Sequence, residues 1–287
     1  MLRIAVPNKG SLAEGSRQIL QEAGYRQRSE TSQLTCRDPE NGIEFFYLRP
    51  RDIATYVGSG DLHLGITGRD LLVDTAGPAE ELLDLQFGRA TFRFAARPGT
   101  LGDPADQASP AALGGHRIAT AYPGVVTGYL RRHGVEAEVI RLDGAVENAV
   151  SLGVADVVAD VVQTGRTLRE AGLVPVGEPI LESSAVLIGG PRRPADGPVT
   201  QVLRRLQGVL VARQYVMLAY DVHADRLDQA CRLTPGIESP TISPLHREGW
   251  VAVQAMVRRS EAHRIMDELY ELGARAILVT NLHACRL

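Results

Sequence analysis

Short apolar runs alternate with segments of helical periodicity along the first part of the chain. The runs are LRIAVP, IEFFYLRP and LHLGIT. A segment with apolar residues on roughly one helical face follows the first of them, as at Leu12, Ile19 and Leu20. Strands that alternate with helices in this way predict βαβ units, and therefore an α/β fold with a mainly parallel sheet.

The same alternation restarts after a Gly/Pro/Ala-rich passage at residues 97–116, which is typical of a loop with a short helix. It continues through RIATAYP, GVVTGYLRRHG, AEVIRLDG, AVENAVSLG and VADVVADVV. Two stretches resemble each other across the halves, ITGRDLL and QTGRTLR. We therefore predict two α/β lobes facing a cleft, residues 1–93 with 182–213 as one and 94–181 as the other. Ligands of such sheets bind at the carboxyl ends of strands, where both stretches lie.

The pattern changes at about residue 214, after a Gly/Pro-rich connector at residues 189–198. The later segments are QYVMLAYDV, RLDQACRL, SPTISPL, WVAVQAMV, EAHRIMDELYELG and AILVTNL. Their order, βαββαβ, predicts a ferredoxin-like domain over residues 214–287.

Composition excludes several classes of protein. A 44% hydrophobic content is typical of globular chains, and the net charge of −3 gives no bulk attraction to nucleic acid or to an anionic membrane. The three cysteines are far apart and lack metal-ligand spacing, which favours a reducing cytoplasm. The first ten residues do not resemble a signal peptide, and no stretch approaches the length of a membrane span.

The turn Thr164-Gly165-Arg166-Thr167 has the composition of a phosphate site. The first amides of the helix that begins near Leu168 lack partners within the helix and point toward an anion. Gly165 permits close approach, the two Thr hydroxyls can donate to phosphate oxygens, and Arg166 adds positive charge. The spacing differs from a Walker loop, which favours a phosphate monoester. A capped helix start without a ligand would have the same residues.

Two carboxylates precede this turn in an otherwise apolar run. Asp160 lies four residues before Thr164 and could accept hydrogen bonds from the hydroxyls of a sugar attached to the phosphate. Asp156 has no role that the sequence explains.

The corresponding turn of the first lobe carries Asp70 where the second has Thr167. A carboxylate repels phosphate but suits hydroxyls or an amine, so this lobe is predicted to hold a nucleobase or nucleoside. Asp70 could instead only stabilise its helix through the dipole. Lys9, Arg49 and Arg51 follow predicted strands and are candidate anion contacts, although isolated basic residues are usually solvated surface charges.

The segment EnavslGvAdvVaDVvqTGrTL, from Glu147 to Leu168, resembles the signature of the ATP phosphoribosyltransferase family. The motifs VPNKG, LRPRDI, GITGRDL, RIATAYP, RLDGAVE and TPGIESPTISPL also resemble that family. The resemblance covers essentially the whole chain and includes the C-terminal region, as in the long form of the enzyme. It implies a two-lobed catalytic region like that of periplasmic binding proteins, followed by a ferredoxin-like (ACT-like) domain.

The resemblance implies the first reaction of histidine biosynthesis. N1 of the ATP adenine attacks C1′ of 5-phosphoribosyl 1-pyrophosphate (PRPP), pyrophosphate leaves, and phosphoribosyl-ATP forms with inversion. Mg²⁺ would accompany the polyphosphates without a dedicated protein site. This chemistry requires aligned reactants and a neutralised leaving group more than covalent help.

The resemblance also implies roles for particular residues. Asp160 and Glu147 are the catalytic candidates. PRPP would contact Asp160, Thr164, Gly165, Arg166, Thr167 and Asp143. ATP would contact Lys9, Arg49 and Asp70.

For the C-terminal domain, the resemblance implies feedback inhibition by histidine. The matching residues are Asp221, Ile237, Ser239, Thr241 and Ala276. Asp221 would meet the cationic group of the ligand. The family further implies a homo-oligomer, from dimer to hexamer.

Two rival interpretations use the same architecture. A two-lobed binding or sensor protein would hold a nucleotide or an amino acid without reaction. A transcription regulator responsive to amino acids would need a basic helix-turn-helix segment, which is not evident. Neither explains the signature from Glu147 to Leu168.

Overall fold

The computed structural model of the chain describes residues 1–102 and 105–286. Asp103 and Pro104, in the predicted loop and second lobe, lie outside the described residues, as does Leu287 of the predicted C-terminal domain. The chain forms two compact units, Met1–Gln21 with Tyr25–Val199 and Glu22–Gly24 with Thr200–Leu287. No helix among the described residues is long and apolar enough to cross a membrane.

The first lobe of the larger unit is built on a six-stranded sheet. Its strands are β1 (Leu2–Pro7), β2 (Thr35–Asp38), β3 (Ile43–Leu48), β4 (Leu64–Gly68), β5 (Glu80–Asp84) and β11 (Ala185–Gly189), in the order β2-β3-β1-β4-β11-β5. Its helices are α1 (Ser11–Glu22), α2 (Pro50–Gly58) and α3 (Arg69–Thr75). The central strands β1 and β4 are buried almost throughout, which explains their continuous apolar sequences.

The second lobe contains a five-stranded sheet. Its strands are β6 (Ala90–Ala96), β7 (Arg117–Thr120), β8 (Glu138–Arg141), β9 (Val157–Val162) and β10 (Val174–Ser183), in the order β10-β6-β9-β7-β8. Its helices are α4 (Pro123–His133), α5 (Asn148–Ser151) and α6 (Arg166–Glu170). In the predicted loop, two short 3-10 turns occur at Ala105–Gln107 and Pro110–Leu113.

The prediction of mainly parallel sheets is wrong. Among the strands of the described residues, only β1–β3, β1–β4, β7–β8 and β7–β9 pair in parallel. The other pairs in both lobes are antiparallel. The chain passes between the lobes twice, from β5 to β6 and from β10 to β11, without an intervening helix. The strands at these passages pair antiparallel to their neighbours and add to the small parallel cores.

The second unit contains α7 (Pro198–Gln214), which begins two residues before the unit itself, followed by a four-stranded antiparallel sheet. The remaining elements are β12 (Tyr215–His223), α8 (Leu227–Leu233), β13 (Thr241–Pro244), β14 (Trp250–Arg258), α9 (Ala262–Leu272) and β15 (Arg275–Asn281). The strand order β13-β14-β12-β15 is that of a ferredoxin-like fold. Together with the two lobes, it confirms the predicted fold class.

Candidate active site

A cavity of about 340 Å³ lies between the two lobes of the larger unit. The lining residues that follow strand ends are Lys9 after β1, Arg49 after β3, Asp70 after β4, Tyr122 after β7 and Gln163 after β9. The structure thus brings together all three residues predicted for the nucleotide side, Lys9, Arg49 and Asp70. The position of the cavity agrees with the general rule that α/β sheets bind ligands at the carboxyl ends of their strands.

The predicted phosphate turn joins β9 to α6. Gly165 precedes the helix with a φ of 67°, a left-handed conformation that glycine adopts without steric cost. Within the described residues, no side chain caps the start of α6, which leaves its first amides without a side-chain acceptor. Thr164 and Thr167 are exposed at this turn. Arg166 is exposed as well, and its Nε donates to Glu170 Oε1 at 2.7 Å.

Asp160 lies on β9 and is partly buried. Burial raises the pKa of its carboxyl group, the nearby carboxylates of Glu147 and Asp70 raise it further, and Arg51 opposes them. The amide of Val161 donates to Asp160 Oδ1 at 2.7 Å. Asp160 therefore interacts electrostatically with Glu147 and with Asp70 of the opposite lobe.

Asp70 is held in place by Ser183, the last residue of β10. Ser183 Oγ donates to Asp70 Oδ1 at 2.7 Å, and the amide of Asp70 donates to Ser183 Oγ at 3.1 Å. Both residues are buried. Burial also raises the pKa of Tyr122, as do the carboxylates of Asp70 and Asp160. The Tyr122 hydroxyl therefore keeps its proton and can donate a hydrogen bond in the cleft.

The predicted PRPP contacts do not line the interlobe cavity themselves; of their neighbours, Val161 and Gln163 do. Asp143 is the predicted PRPP contact that lies farthest out in solvent. Its side chain is 83% exposed and meets Arg141 at 3.5 Å. The structure therefore does not gather Asp143 with Asp160 and Asp70.

Within residues 1–102 and 105–286, no group of three or more His, Cys, Asp or Glu side chains could hold a metal ion. The cleft carboxylates are spread over both lobes, and Asp70 is already hydrogen bonded to Ser183.

Comparison with known proteins identifies the family. The ATP phosphoribosyltransferase profile (HisG) matches residues 49–208, and the profile of the HisG C-terminal domain matches residues 212–284. Proteins named ATP phosphoribosyltransferase from Salinispora tropica and Streptomyces avermitilis are 67% and 60% identical to the chain, over 100% of both sequences. The chain belongs to the ATP phosphoribosyltransferase family. The predicted long form is confirmed, because both profiles match one chain.

A solved ATP phosphoribosyltransferase provides a structural comparison. The ATP phosphoribosyl transferase (HisG:HisZ) complex from Thermotoga maritima aligns with a TM-score of 0.61 at 28% identity. The alignment covers 72% of this chain and 97% of that chain.

The residues predicted to bind histidine lie in the second unit. Asp221 on β12 pairs with Ala252 on β14, and Thr241 on β13 pairs with Gln254 on β14. Cross-strand partners share a face, so Asp221 and Thr241 lie on the face opposite the buried Tyr220.

The other three predicted histidine contacts lie at turns or an edge. Ala276 has a φ of 49° next to Arg275, the cross-strand partner of Asp221. Ser239 is exposed in the segment before β13. Ile237, in the same segment, lines a separate cavity of about 310 Å³ with Leu233 and Ile265. The structure therefore groups Asp221, Thr241 and Ala276 on one sheet but gives Ile237 a different environment.

Sequence reasoning missed parts of this ATP phosphoribosyltransferase site. Ser183 carried no periodic or motif signal of its own, and Tyr122 belongs to the RIATAYP motif but was assigned no role. The positions of both in the site follow from contacts between segments distant in the chain. Asp156, unexplained by the sequence, accepts hydrogen bonds from the amide of Arg117 at 3.0 Å and from its Nη2 at 2.8 Å. These bonds lower the pKa of Asp156 to about 2, which indicates a structural role within the second lobe.

Proposed function

We propose that the interlobe cleft joins N1 of the ATP adenine to C1′ of PRPP, releasing pyrophosphate and forming phosphoribosyl-ATP. The observation that carries this proposal is the interlobe cavity, which Asp70 lines from one lobe and Val161 and Gln163 line from the other, beside Asp160 and the Thr164–Thr167 turn. One lobe offers a phosphate turn and the other a buried carboxylate with basic neighbours. Family membership supports the same reaction.

The second lobe would hold PRPP. The amides at the start of α6 and the hydroxyls of Thr164 and Thr167 would bind the 5-phosphate, where Gly165 leaves room for it. Asp160 would accept hydrogen bonds from the ribose hydroxyls, with Glu147 beside it. Charge that develops on the ribose in the transition state would be stabilised by these fixed carboxylates.

Two of the predicted PRPP contacts would have to move to reach the ligand. Arg166 would have to leave Glu170, its partner at 2.7 Å, to reach a phosphate. Asp143 would have to be brought in from its exposed position by the ligand.

The first lobe would hold ATP. Lys9 and Arg49 line the cavity and would meet phosphate oxygens. Asp70, held by Ser183, would accept a hydrogen bond from the exocyclic amino group or from a ribose hydroxyl. Adenine N1 carries a free lone pair at neutral pH, so the protein's main task is alignment of N1 with C1′.

Mg²⁺ is part of the proposal as an ion bound by the substrates' phosphates. When bound, it neutralises charge on the departing pyrophosphate. Lys9 and Arg49 of the first lobe would add to the charge of Mg²⁺ by holding phosphate oxygens of ATP.

Regulation and assembly belong to the same proposal. Histidine would bind on the second unit through Asp221, Ile237, Ser239, Thr241 and Ala276, and would inhibit the reaction. The chain would work as a homo-oligomer, from dimer to hexamer. The three cysteines are free thiols, which suits a reducing, cytoplasmic setting.

The test is a direct assay. Purified protein is mixed with ATP, PRPP, Mg²⁺ and pyrophosphatase, and the near-ultraviolet absorbance of N1-substituted adenine is followed with and without histidine. Product that histidine suppresses is the expected result. Product insensitive to histidine would remove the regulatory part. Absence of product, with PRPP still bound in a titration, would favour a binding or sensor protein.

A further inference from the structure

A buried carboxylate outside the proposed reaction chemistry connects the two lobes. Asp74 lies near the end of α3 in the first lobe, and its side chain is only 7% exposed. Its Oδ1 accepts hydrogen bonds from the amides of Gly124 at 2.8 Å and Val125 at 3.3 Å. Both amides belong to the first turn of α4 in the second lobe. The carboxylate of one lobe thus binds the helix start of the other.

The same carboxylate holds an arginine at the cleft. Arg51 Nη1 donates to Asp74 Oδ2 at 2.6 Å, and its Nη2 donates to the carbonyl oxygen of Ala121 at 2.7 Å. The guanidinium carbon lies 4.9 Å from the centre of the Tyr122 ring. Arg51 and Tyr122 both line the interlobe cavity. Asp74 therefore fixes a cleft residue of its own lobe against the β7–α4 turn of the other.

The close contact between the backbones of α3 and α4 leaves no space for a side chain at Gly124. A β-carbon added at Gly124 would lie 2.1 Å from the carbonyl oxygen of Asp74. Real β-carbons do not come this close to another heavy atom, so only glycine permits the observed approach of α3 and α4. The steric requirement and the hydrogen bonds are independent observations on the same interlobe contact.

We propose that Asp74 is a positioning residue for phosphoribosyl transfer. It sets the separation of the lobes at the cleft and holds Arg51 in place beside the substrates. This inference rests on the proposed function, because it concerns how ATP and PRPP are brought into reach of each other. A buried carboxylate is costly unless it is fully paired, and most of the pairing of Asp74 requires the lobes to be together.

Loss of this contact has a specific kinetic consequence. When the binding-competent arrangement is only fractionally populated, the apparent affinity falls by that fraction, and saturating ligand restores the arrangement. Asparagine at residue 74 would keep one acceptor oxygen but lose the charge that strengthens these hydrogen bonds and pairs with Arg51, a loss that corresponds to a change of about 10- to 100-fold in population. We expect Asp74→Asn to raise the KM of ATP and of PRPP by about that factor, while kcat stays within about threefold.

Two further variants serve as comparisons. One tests the spacing of the lobes without loss of the carboxylate, and the other tests loss of a carboxylate that does not join the lobes. Gly124→Ala keeps the carboxylate but forces α3 and α4 apart, and it is expected to raise both KM values in the same way. Asp156→Asn is the matched control. It removes a carboxylate that also accepts bonds from an arginine and a backbone amide, but within one lobe. It is expected to leave both KM values unchanged.

Hydrogen exchange measured by NMR tests the contact without reference to catalysis. The Gly124 and Val125 amides are expected to exchange faster in Asp74→Asn than in the wild type, and to be unaffected in Asp156→Asn. Wild-type exchange at these amides in Asp74→Asn would overturn the proposal. So would faster exchange with unchanged KM values, or an equal rise of KM in the control. If the wild type formed no phosphoribosyl-ATP, the exchange result would still decide the contact, and titrations with ATP and PRPP would replace KM.

Discussion

Replacement of Gly165 by alanine should weaken PRPP binding by a predictable amount. Gly165 has a φ of 67° directly before α6, and a β-carbon there would lie 3.1 Å from Arg169 Nη1, the far end of a flexible side chain. The penalty is therefore mainly that of a left-handed non-glycine residue, about 1–2 kcal/mol. Because the turn is exposed, the free alanine variant can relax to another conformation.

Binding of the 5-phosphate would then require the left-handed conformation to be restored. The same 1–2 kcal/mol would appear in the dissociation constant for PRPP, as a weakening of about 5- to 30-fold. Isothermal titration of the purified variant with PRPP and Mg²⁺ measures it. ATP binding to the free enzyme should not change, because the proposed ATP contacts lie in the other lobe.

Gly172 offers a matched control in the same lobe. Its φ is 71°, and among the described residues no atom lies within 4 Å of a β-carbon built there. Gly172→Ala therefore introduces the same backbone strain after α6 instead of before it. Its PRPP affinity should equal that of the wild type. Unchanged affinity in Gly165→Ala, or equal weakening in both variants, would refute the assignment of the turn to phosphate.

Three other predictions concern charge. Thr167→Asp should weaken PRPP binding by more than about 100-fold in the same titration, because a carboxylate would face the phosphate, whereas Thr167→Ser should bind normally. PRPP affinity should fall on acidification with a midpoint above the ordinary pKa of an aspartate, because the pKa of Asp160 is raised and its ionised form is the stronger acceptor. The carboxylate of Asp70 raises the pKa of Asp160, so Asp70→Asn should lower the pH midpoint of PRPP binding. An unchanged midpoint would show that a group other than Asp160 titrates. Asp221→Ala should raise the histidine concentration for half-inhibition at least about tenfold with a much smaller effect on turnover, and an unchanged histidine response would remove Asp221 from the regulatory site.

The elements predicted best were those with strong periodicity and burial. The runs at β1, β4 and β9 and the βαββαβ order of the second unit are found where the sequence indicates them. The sequence did not predict the antiparallel pairing of β5, β6, β10 and β11. No helix separates the strands at the two passages between lobes, so the alternation of strands and helices gives no signal there. The helix expected over residues 145–153 forms only at Asn148–Ser151, since apolar periodicity alone does not set the ends of a short helix.

In the candidate site too, residues with a local sequence signal were predicted and residues held by long-range contacts were not. Local signals were enough to propose Gly165 and Asp70, which follow strand ends within recognisable turns. Asp74 reaches Gly124 across 50 residues, and Ser183 reaches Asp70 across 113. No local pattern in a single sequence reports contacts between segments so far apart. The pairing of Asp156 with Arg117, 39 residues away, was missed for the same reason.

The central claim is that this cleft transfers the phosphoribosyl group to N1 of adenine. The most direct measurement is nuclear magnetic resonance of the reaction product, formed from PRPP isotopically labelled at C1′ and ATP isotopically labelled at N1. A one-bond coupling between the two labels, with one pyrophosphate released for each product, is the predicted result. Labelled C1′ attached to another nitrogen of adenine, or recovered as free ribose 5-phosphate, would contradict the account.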